Sequence, residues 1–405
     1  MRYTIGQLAE IIDGDRGKNY PKQDEFYPQG YCLFLNTGNV TKEGLIFEEN
    51  QFIMKEKDEA LRKGKLKRGD IVYTTRGTVG NAGYYNSSVP YENIRINSGM
   101  VILRSNGEIV DARFLYQILK SEYYRPYFKQ YCTGSAQPQL PIKNFSQIYL
   151  NVPDIKTQHR IADILSAYDD LIENNQKQIK LLEEAAQRLY KEWFVDLRFP
   201  GHENTKIVDG VPEGWNWCKL EDAVQLDPKV TLTKERMKQF IPMSALSTSS
   251  MVLDESQFTE TTSNSGSKFQ NGDTLLARIT PCLENGKTAY VSGLKSDEGA
   301  VGSTEYIVMR AKTINSYMVY LLARTDDFRQ SAINSMSGSD GRQRVKSDKL
   351  KMLDYLHPTS ELVEKFENVE EPIFEKIYRL SKQMQQAKQA RDLLLPKLMS
   401  GEVEV

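Results

Sequence analysis

Two long stretches of the chain carry apolar residues at spacings that alternate between four and three, which predicts two long helices. Each helix would have one apolar seam and no second apolar face, so each needs a partner helix along its length. The simplest partner is the other helix. The predicted seam residues are Ile161, Leu165, Ile172, Ile179, Leu182, Leu189 and Trp193 in the first helix, and Phe366, Ile373, Ile377, Leu380, Met384, Leu394 and Leu398 in the second.

Polar residues interrupt both seams. Asn175 either fixes the register of the pair, as a lone polar residue in a coiled-coil core can, or faces water at the edge of the seam. Glu370 and Arg391 break the second seam, and Pro372 predicts a kink or a late start of that helix. The two seams nevertheless have the same spacing, because each seam residue of the second helix lies 205 positions after a seam position of the first helix.

The repeat extends beyond the helices. A Gly-Asp pair, a short apolar strand and an arginine follow one another in residues 69–76 and again in residues 272–278. Each half then reaches a Gly-Ser loop, at Gly134 and at Gly338, and a proline that precedes the long helix. This self-similarity predicts that two modules alternate with two helices.

Short strand-like runs and one amphipathic helix in each module predict an α+β fold. We expect two globular modules separated by two long antiparallel helices that form a coiled coil, as a tandem pseudo-two-fold repeat. The predicted boundaries are 1–156 for module one, 157–199 for the central helix, 200–216 for a linker, 217–358 for module two and 359–400 for the C-terminal helix.

Composition narrows the class of protein. The 405 residues are 40% hydrophobic, without an apolar run of about 18 residues, so no membrane span is expected. The beginning of the chain has no signal-peptide pattern. Four scattered cysteines form no C-x-x-C pair and indicate reduced thiols in a cytoplasmic protein. The three histidines have no metal-ligand spacing.

Charge by itself leaves two interpretations open. The net charge is −1, yet lysines and arginines crowd together in residues 62–68 and again in residues 342–351. Such a run is either a solvated surface or a face for nucleic acid.

Three catalytic signatures are absent from the sequence. The chain has no Asn/Asp-Pro-Pro-aromatic loop of the kind that holds a flipped adenine, no G-x-x-x-x-G-K-[S/T] loop and no carboxylate cluster with a lysine. Asp227-Pro228-Lys229 is the nearest fragment of the first signature. We therefore expect catalysis to reside in partner chains.

Four segments carry a family resemblance. They are QHRIADILSAYDDLI at 158–172, LYKEWFVD at 189–196, PEGW at 212–215 and LLPKLMSGEV at 394–403. Together they make the chain resemble the specificity subunits of type I restriction-modification systems over essentially its full length. Two features depart from that pattern: module one starts almost at Met1, and the second helix has Val363-Glu364-Lys365-Phe366 where the first has Gln-x-x-Ile.

The resemblance implies a function and a set of partners. The modules would be target recognition domains that bind a bipartite, asymmetric site in double-stranded DNA. Two modification subunits would methylate adenine, and restriction subunits would translocate and cut the DNA. S-adenosylmethionine, ATP and Mg²⁺ would be bound by those partners, with no cofactor or metal on this chain.

Candidate DNA-reading residues lie at the strand ends and around the Gly-Ser loops. Arginine can bond to guanine, and Asn or Gln to adenine, in the major groove, whereas Lys, Ser and Thr reach phosphates. An arginine after a strand can equally be structural. The candidates are Asn36, Thr37, Asn39, Arg76, Thr78, Asn81, Gln137, Gln139 and Lys143 in module one, and Ser244, Arg278, Arg342, Gln343, Arg344 and Lys346 in module two.

Two other classes of protein remain as alternatives at this stage. One is a coiled-coil adaptor that does not read DNA, and the other is a single-chain DNA-modifying enzyme. The missing catalytic motifs count against the enzyme, and failure to bind DNA even with partners present would favour the adaptor.

Overall fold

The computed structural model describes residues 1–134, 137–338 and 342–405. These residues form two compact units, Met1–Ile172 with Gln386–Val405, and Glu173–Gln385. The division falls within both long helices, so each unit contains one module and a segment of each helix.

Module one is α+β, as predicted. Its strands are β1 (Arg2–Thr4), β2 (Ala9–Asp13), β3 (Cys32–Leu35), β4 (Val40–Thr41), β5 (Gly44–Leu45), β6 (Phe52–Ile53), β7 (Ile71–Thr74), β8 (Ala82–Tyr84), β9 (Ile94–Ile96), β10 (Met100–Ser105) and β11 (Tyr149–Asn151). Its helices are α1 (Ile5–Leu8), α2 (Lys55–Ala60), α3 (Ala112–Lys120), α4 (Arg125–Lys129) and α5 (Ile142–Ser146), and the long helix α6 (Ile155–Tyr190) follows.

Module two repeats most of this order of elements. Its strands are β12 (Ile207–Val208), β13 (Val211–Pro212), β14 (Asn216–Lys219), β15 (Val224–Leu226), β16 (Lys238–Ile241), β17 (Thr259–Thr261), β18 (Ser267–Phe269), β19 (Thr274–Ala277), β20 (Thr288–Tyr290), β21 (Ala300–Gly302), β22 (Tyr306–Ala311) and β23 (Asp354–His357). Its helices are α7 (Leu220–Ala223), α8 (Ser316–Arg324), α9 (Asp326–Asn334) and α10 (Ser347–Lys351), followed by the long helix α11 (Ser360–Ser400).

The two modules share their sheet topology. The central sheet has the order β2-β10-β7-β8 in module one and β15-β22-β19-β20 in module two. A smaller sheet has the order β6-β3-β9 in module one and β17-β16-β21-β18 in module two. In both smaller sheets one pair is parallel, β3 with β9 and β16 with β21. The predicted repeat is therefore present in the central sheet and in the core of the smaller sheet, while module two has the extra strand β18 and module one has the extra pair β4 and β5.

The Gly-Asp pairs hold the central sheets together. Asp70 is buried; its carboxylate accepts a hydrogen bond from the Lys67 amide at 2.7 Å and two from the Arg104 guanidinium at 2.8 and 2.9 Å. Asp273 forms the same set of bonds with the Gln270 amide and Arg310. A buried carboxylate is costly unless it is paired, so these bonds make the motif part of the scaffold.

In the first unit, the start of α6 pairs with the end of α11. Ile161 and Leu165 share one core cluster with Leu395 and Leu398. The Arg160 guanidinium donates a hydrogen bond to the backbone oxygen of Val405 at 2.7 Å. The first residues of one helix therefore contact the last residues of the other, which is the antiparallel arrangement predicted.

In the second unit, the remaining segments of the helices also run antiparallel. The Tyr190 and Trp193 rings pack against Phe366, with ring centroids 6.0 and 5.4 Å apart. Asn175 is buried and donates a hydrogen bond to Oε1 of Gln383 at 3.1 Å. Asn175 therefore lies inside the seam, and the interpretation that it faces water is wrong.

The buried stripe on each helix is wider than the predicted seam. Leu182, Leu189, Ile373, Met384 and Leu394 are only partly buried. Other seam residues are buried as predicted. Buried residues also occur beside the seam, at Ala162, Glu183, Phe374, Ser381 and Leu395. Within each unit, the helix segments pack on the module of that unit as well as on each other, which adds a third position to the stripe.

The helix ends differ slightly from the prediction. Helix α6 ends at Tyr190 and continues as a single π-helical turn, Lys191–Val195, which contains Trp193. Helix α11 starts at Ser360 and passes through Pro372, so the expected late start is wrong. No helix in residues 1–134, 137–338 and 342–405 is long and apolar enough to cross a bilayer.

Candidate nucleic-acid interface

Four segments of module one meet at one edge of its sheets. The Asn97 amide donates to Leu35 O, the Thr75 amide to Gly99 O and the Leu140 amide to Thr75 O, each at 2.9 Å. These bonds bring together the segments that follow β3, β7 and β9 and the segment that precedes α5. The sequence-distant candidates of module one are therefore carried by neighbouring loops.

Several of these candidates present free side chains. Arg76, Thr78, Gln137, Gln139 and Lys143 are exposed. The side chain of Arg76 has no bonding partner among the described residues. Contact between these five residues and DNA stays a prediction.

The three candidate asparagines of module one are engaged in the fold. Asn36 accepts a hydrogen bond from the Gly38 amide at 2.7 Å and caps the short 3-10 turn Thr37–Asn39, which leaves Thr37 half-buried. Asn39 is buried, and its amide donates to Ile46 O and Glu49 O. Asn81 is buried and donates to Val40 O at 2.9 Å. A direct base contact from Asn39 or Asn81 is therefore not expected, because their amides already bond to backbone.

The corresponding loops of module two are joined in the same way. The Thr280 amide donates to Gln343 O at 3.1 Å, and the Val345 amide donates to Arg278 O at 2.9 Å. Arg342 and Lys346 are exposed and Gln343 is half-buried. Ser244 is exposed in the 3-10 turn Met243–Ala245 after β16, as Thr37 lies in the turn after β3.

The two loops differ in the position of their arginine. Leu140 bonds to Thr75 O in module one, whereas Val345 bonds to Arg278 O in module two. Thr75 is thus the counterpart of Arg278, and Arg76 lies one residue further along. Both arginines follow equivalent strands, as predicted, but they are one residue out of register, and a shift of one residue points a side chain to the other side of the backbone.

Arg344 is held by a carboxylate that the sequence did not single out. Its guanidinium donates three hydrogen bonds to Glu305 at 2.7 to 3.0 Å. This arginine lowers the pKa of Glu305 below its usual value. Arg344 therefore has less freedom to bind a ligand than Arg278 or Arg342. No spacing rule connects residues 39 positions apart in irregular segments.

The tips of both Gly-Ser loops lie outside the described residues. These are Ser135 and Ala136 in module one, and Ser339, Asp340 and Gly341 in module two. The flanks of the loops are paired in both modules, as Thr133 with Gln139 and Ser337 with Arg344.

The basic cluster at residues 62–68 is largely part of the fold. Arg62 pairs with Asp15 at 3.1 Å and Lys65 with Asp58 at 2.5 Å. Arg68 donates to backbone oxygens, including Val89 O at 3.0 Å, and lies over the Tyr85 ring. Three of the five basic side chains are therefore engaged, which favours the interpretation as protein surface. The described residues contain no group of three or more His, Cys, Asp or Glu placed to hold a metal ion.

Comparison with known proteins gives consistent results. The family description "Type I restriction modification DNA specificity domain" matches residues 1–184. The chain is 26% identical to the MjaIX specificity subunit of Methanocaldococcus jannaschii over 86% of this chain and 81% of that protein. It is 23% identical to the HindI specificity subunit of Haemophilus influenzae over 98% of this chain and 100% of that protein. Both relatives are type I restriction enzyme specificity subunits.

A solved structure shares the fold. The crystal structure of the type I restriction-modification S subunit from M. genitalium matches with a TM-score of 0.59 and 15% identity, and the match covers 98% of this chain and 95% of that one. The matches agree on one point: residues 1–184 match the type I restriction modification DNA specificity domain, and the chain is similar over most of its length to type I restriction enzyme specificity subunits.

Proposed function

We propose that this chain selects the DNA site at which a type I restriction-modification enzyme acts. Module one and module two each read one half of an asymmetric target, with unread base pairs between the halves. The observation that carries the proposal is the repeat: one scaffold occurs twice, each copy is followed by a long helix, and the loops at corresponding edges differ. Two copies of one scaffold with different loops suit one task on two different sequences.

The chain is the non-catalytic part of such an enzyme and works with other subunits and DNA. Two modification subunits methylate adenine in the target, and restriction subunits translocate and cut unmodified DNA. S-adenosylmethionine, ATP and Mg²⁺ belong to these partners in this proposal. In this proposal this chain reads the DNA sequence, and the partner subunits carry out methylation and cleavage.

Free polar side chains at the joined loops are the proposed reading residues. In module one they are Arg76, Gln137 and Gln139, and in module two Arg342 and Gln343. Arginine bonds bidentately to guanine, and glutamine to adenine, in the major groove. Thr37, Thr78, Lys143, Ser244 and Lys346 are proposed to contact phosphates, which position the duplex without reading it.

Methylated-base mapping of the host genome tests the function. Cells with the intact gene should carry adenine methylation in an interrupted motif whose two parts differ, and deletion of the gene should remove it. Restoring the gene should return the same motif. A continuous motif, or methylation that survives deletion, would contradict the proposal and favour an adaptor role.

Arg76→Ala provides the matched test of module assignment. Because Arg76 lies in module one, this variant should relax or change one half of the methylated motif and leave the other half as it is. Lys18→Ala, at another position of module one, is the control and should leave both halves unchanged.

A further inference from the structure

Module two has a cleft at the point where β15 ends. Asp227 follows the strand in a left-handed conformation, with a φ of 49°, and the chain leaves the sheet there. The cleft has a volume of about 500 Å³. It is lined by residues 227–231, by Lys268 of β18, by Arg278 and by Tyr306 at the start of β22.

The charge in this cleft is mostly positive and unpaired. Lys229, Lys268 and Arg278 line it, and none of them forms a side-chain ion pair or hydrogen bond within the described residues. The Nε atom of Arg278 is buried and has no hydrogen-bond partner. Glu305, the acid that interacts with Arg278, accepts its hydrogen bonds from Arg344 instead.

The one acid that lines the cleft is already engaged. Oδ1 of Asp227 accepts a hydrogen bond from the Val308 amide at 3.1 Å, and Oδ2 accepts one from the Ser347 hydroxyl. Three cations therefore face one bonded carboxylate, an excess of positive charge that suits an anion.

Module one differs at two of the corresponding places. Strand β2 continues to Asp13, with Ile12 opposite Ile102 and Asp13 opposite Val101, so strand fills the place where β15 has ended. Thr75 stands in place of Arg278, and its hydroxyl donates to Gly99 O at 3.1 Å. The arginine and the space beside it are features of module two.

We infer that this cleft binds a phosphodiester group of the DNA backbone beside the half-site read by module two. The inference rests on the proposed function. The planar fork of Arg278 matches two phosphate oxygens, and burial of its Nε limits the rotamers of the side chain. The two lysines add charge at the rim. Such a contact sets the position of the duplex and contributes affinity on every sequence, because phosphates carry no sequence information.

The test uses the full chain assembled with its modification subunits. Binding to the mapped target duplex and to an unrelated duplex is titrated at several salt concentrations. The variants are Arg278→Gln and Lys268→Ala, with Lys295→Ala as the matched control because Lys295 is an exposed lysine of module two that does not line the cleft. Thermal unfolding establishes that each variant is folded.

Arg278→Gln should raise the Kd roughly ten-fold on both duplexes, as expected when a charged hydrogen bond is lost. The slope of log K against log salt should fall in magnitude by about 1. Lys268→Ala should act in the same direction and less strongly, and Lys295→Ala should match the unaltered chain. A duplex with one neutral methylphosphonate at the contacted position should weaken binding by the unaltered chain and not by Arg278→Gln.

Three outcomes overturn the inference. Unchanged affinity in both cleft variants shows that the cleft does not touch DNA, while specific binding by the unaltered complex leaves the proposed function standing. A changed methylation motif in Arg278→Gln assigns the arginine to base reading. If the unaltered complex fails to discriminate the two duplexes, the proposed function fails and this inference falls with it. If Arg278→Gln does not fold, Lys268→Ala and the methylphosphonate scan decide the question.

Discussion

Module one and module two hold their central sheets with the same ion pair and arrange their loops differently. Asp70 with Arg104, and Asp273 with Arg310, join equivalent strands, and both carboxylates are 1% exposed. At the edge, the small sheet has three strands in module one and four in module two. Position 75 is a threonine bonded to backbone, whereas its counterpart Arg278 is an arginine with free donors.

This comparison separates scaffold from recognition. The residues that recur in both halves neutralise buried charges and join neighbouring strands. Their recurrence therefore reflects what the fold requires. The residues that differ lie where loops from distant parts of the chain meet. Residues that recur in both modules therefore identify the common scaffold. Residues that differ between the modules identify the surface on which the two modules differ in function.

The largest predicted effect comes from removing the shared ion pair. Asp70→Ala and Asp273→Ala should each lower the local unfolding free energy by roughly 3 kcal/mol, because a partly buried arginine loses its partner. Amide hydrogen exchange should show lost protection in module one for Asp70→Ala and in module two for Asp273→Ala. Asp24→Ala, an exposed site in module one, is the control. Loss of protection in both modules from one variant would show that the halves are not independent.

The second effect concerns a position where the two long helices differ. Leu165 in α6 corresponds to Glu370 in α11, which is fully buried with no hydrogen-bond partner for either carboxylate oxygen within the described residues. Burial raises the pKa of Glu370 to about 7 from an ordinary value of 4.5. Between these values the folded chain holds more protons than the unfolded chain. The free energy of unfolding should therefore fall as pH rises through this interval, by at most about 3 kcal/mol.

Glu370→Leu tests this contribution and makes the two helices alike at this position. Urea denaturation at pH 5 and pH 8 should show a smaller pH dependence for the variant and a higher stability at pH 8. Glu371→Leu is the matched control, since the neighbouring carboxylate is exposed. An identical pH dependence in Glu370→Leu and the unaltered chain would assign the effect to other groups.

The third effect concerns the attachment of each module to its long helix. Gln158 of α6 is buried, donates to Ile109 O and Pro153 O at 2.9 Å, and accepts from the Asp111 amide at 3.0 Å. The corresponding position of α11 is Val363, and there Asn315 of module two donates to Val363 O at 3.1 Å. Gln158→Ala should lower the free energy of unfolding by about 2 kcal/mol, because buried hydrogen bonds are lost. Asn315→Ala should lower it by about 1 to 2 kcal/mol for the same reason.

Hydrogen exchange at the first turns of α6 and α11 measures these two attachments separately. Each variant should loosen the start of its own helix and leave the other unchanged. Gln187→Ala, at a half-buried position further along α6, serves as the control for loss of a glutamine side chain. Equal loosening of both helix starts would contradict the assignment.

The smallest effect comes from the polar residue inside the seam. Asn175 corresponds to Leu380 in the second helix, and its partner Gln383 is exposed. Asn175→Leu should raise the unfolding free energy by about 1 kcal/mol, because a lone polar core residue lowers stability while it fixes register. Urea denaturation measures the change, and a loss of stability would show that the amide bond outweighs apolar packing here.

The helices and the repeat could be predicted because their signals are local or periodic. Ile161, Ile179, Phe366 and Ile377 are buried as the spacing predicts. The burial of Glu183 could not be predicted from this spacing. Glu183 is buried because its carboxylate accepts hydrogen bonds from the Ser250 hydroxyl and the Met251 amide, in a loop of module two. Its position beside the seam gives no sign of that loop.

The sequence by itself predicted two modules, two long helices, their antiparallel pairing and the resemblance to type I specificity subunits, because periodic apolar spacing and repeated motifs can be recognised without knowledge of contacts. Only the tertiary structure decided which polar residues are free. Arg344 is bonded to Glu305 and Asn81 to Val40 O, while Arg278 keeps its donors and lines a cleft with Lys229 and Lys268. The physical reason is that a side chain is free or engaged according to partners from distant segments, and those partners meet only when the chain folds.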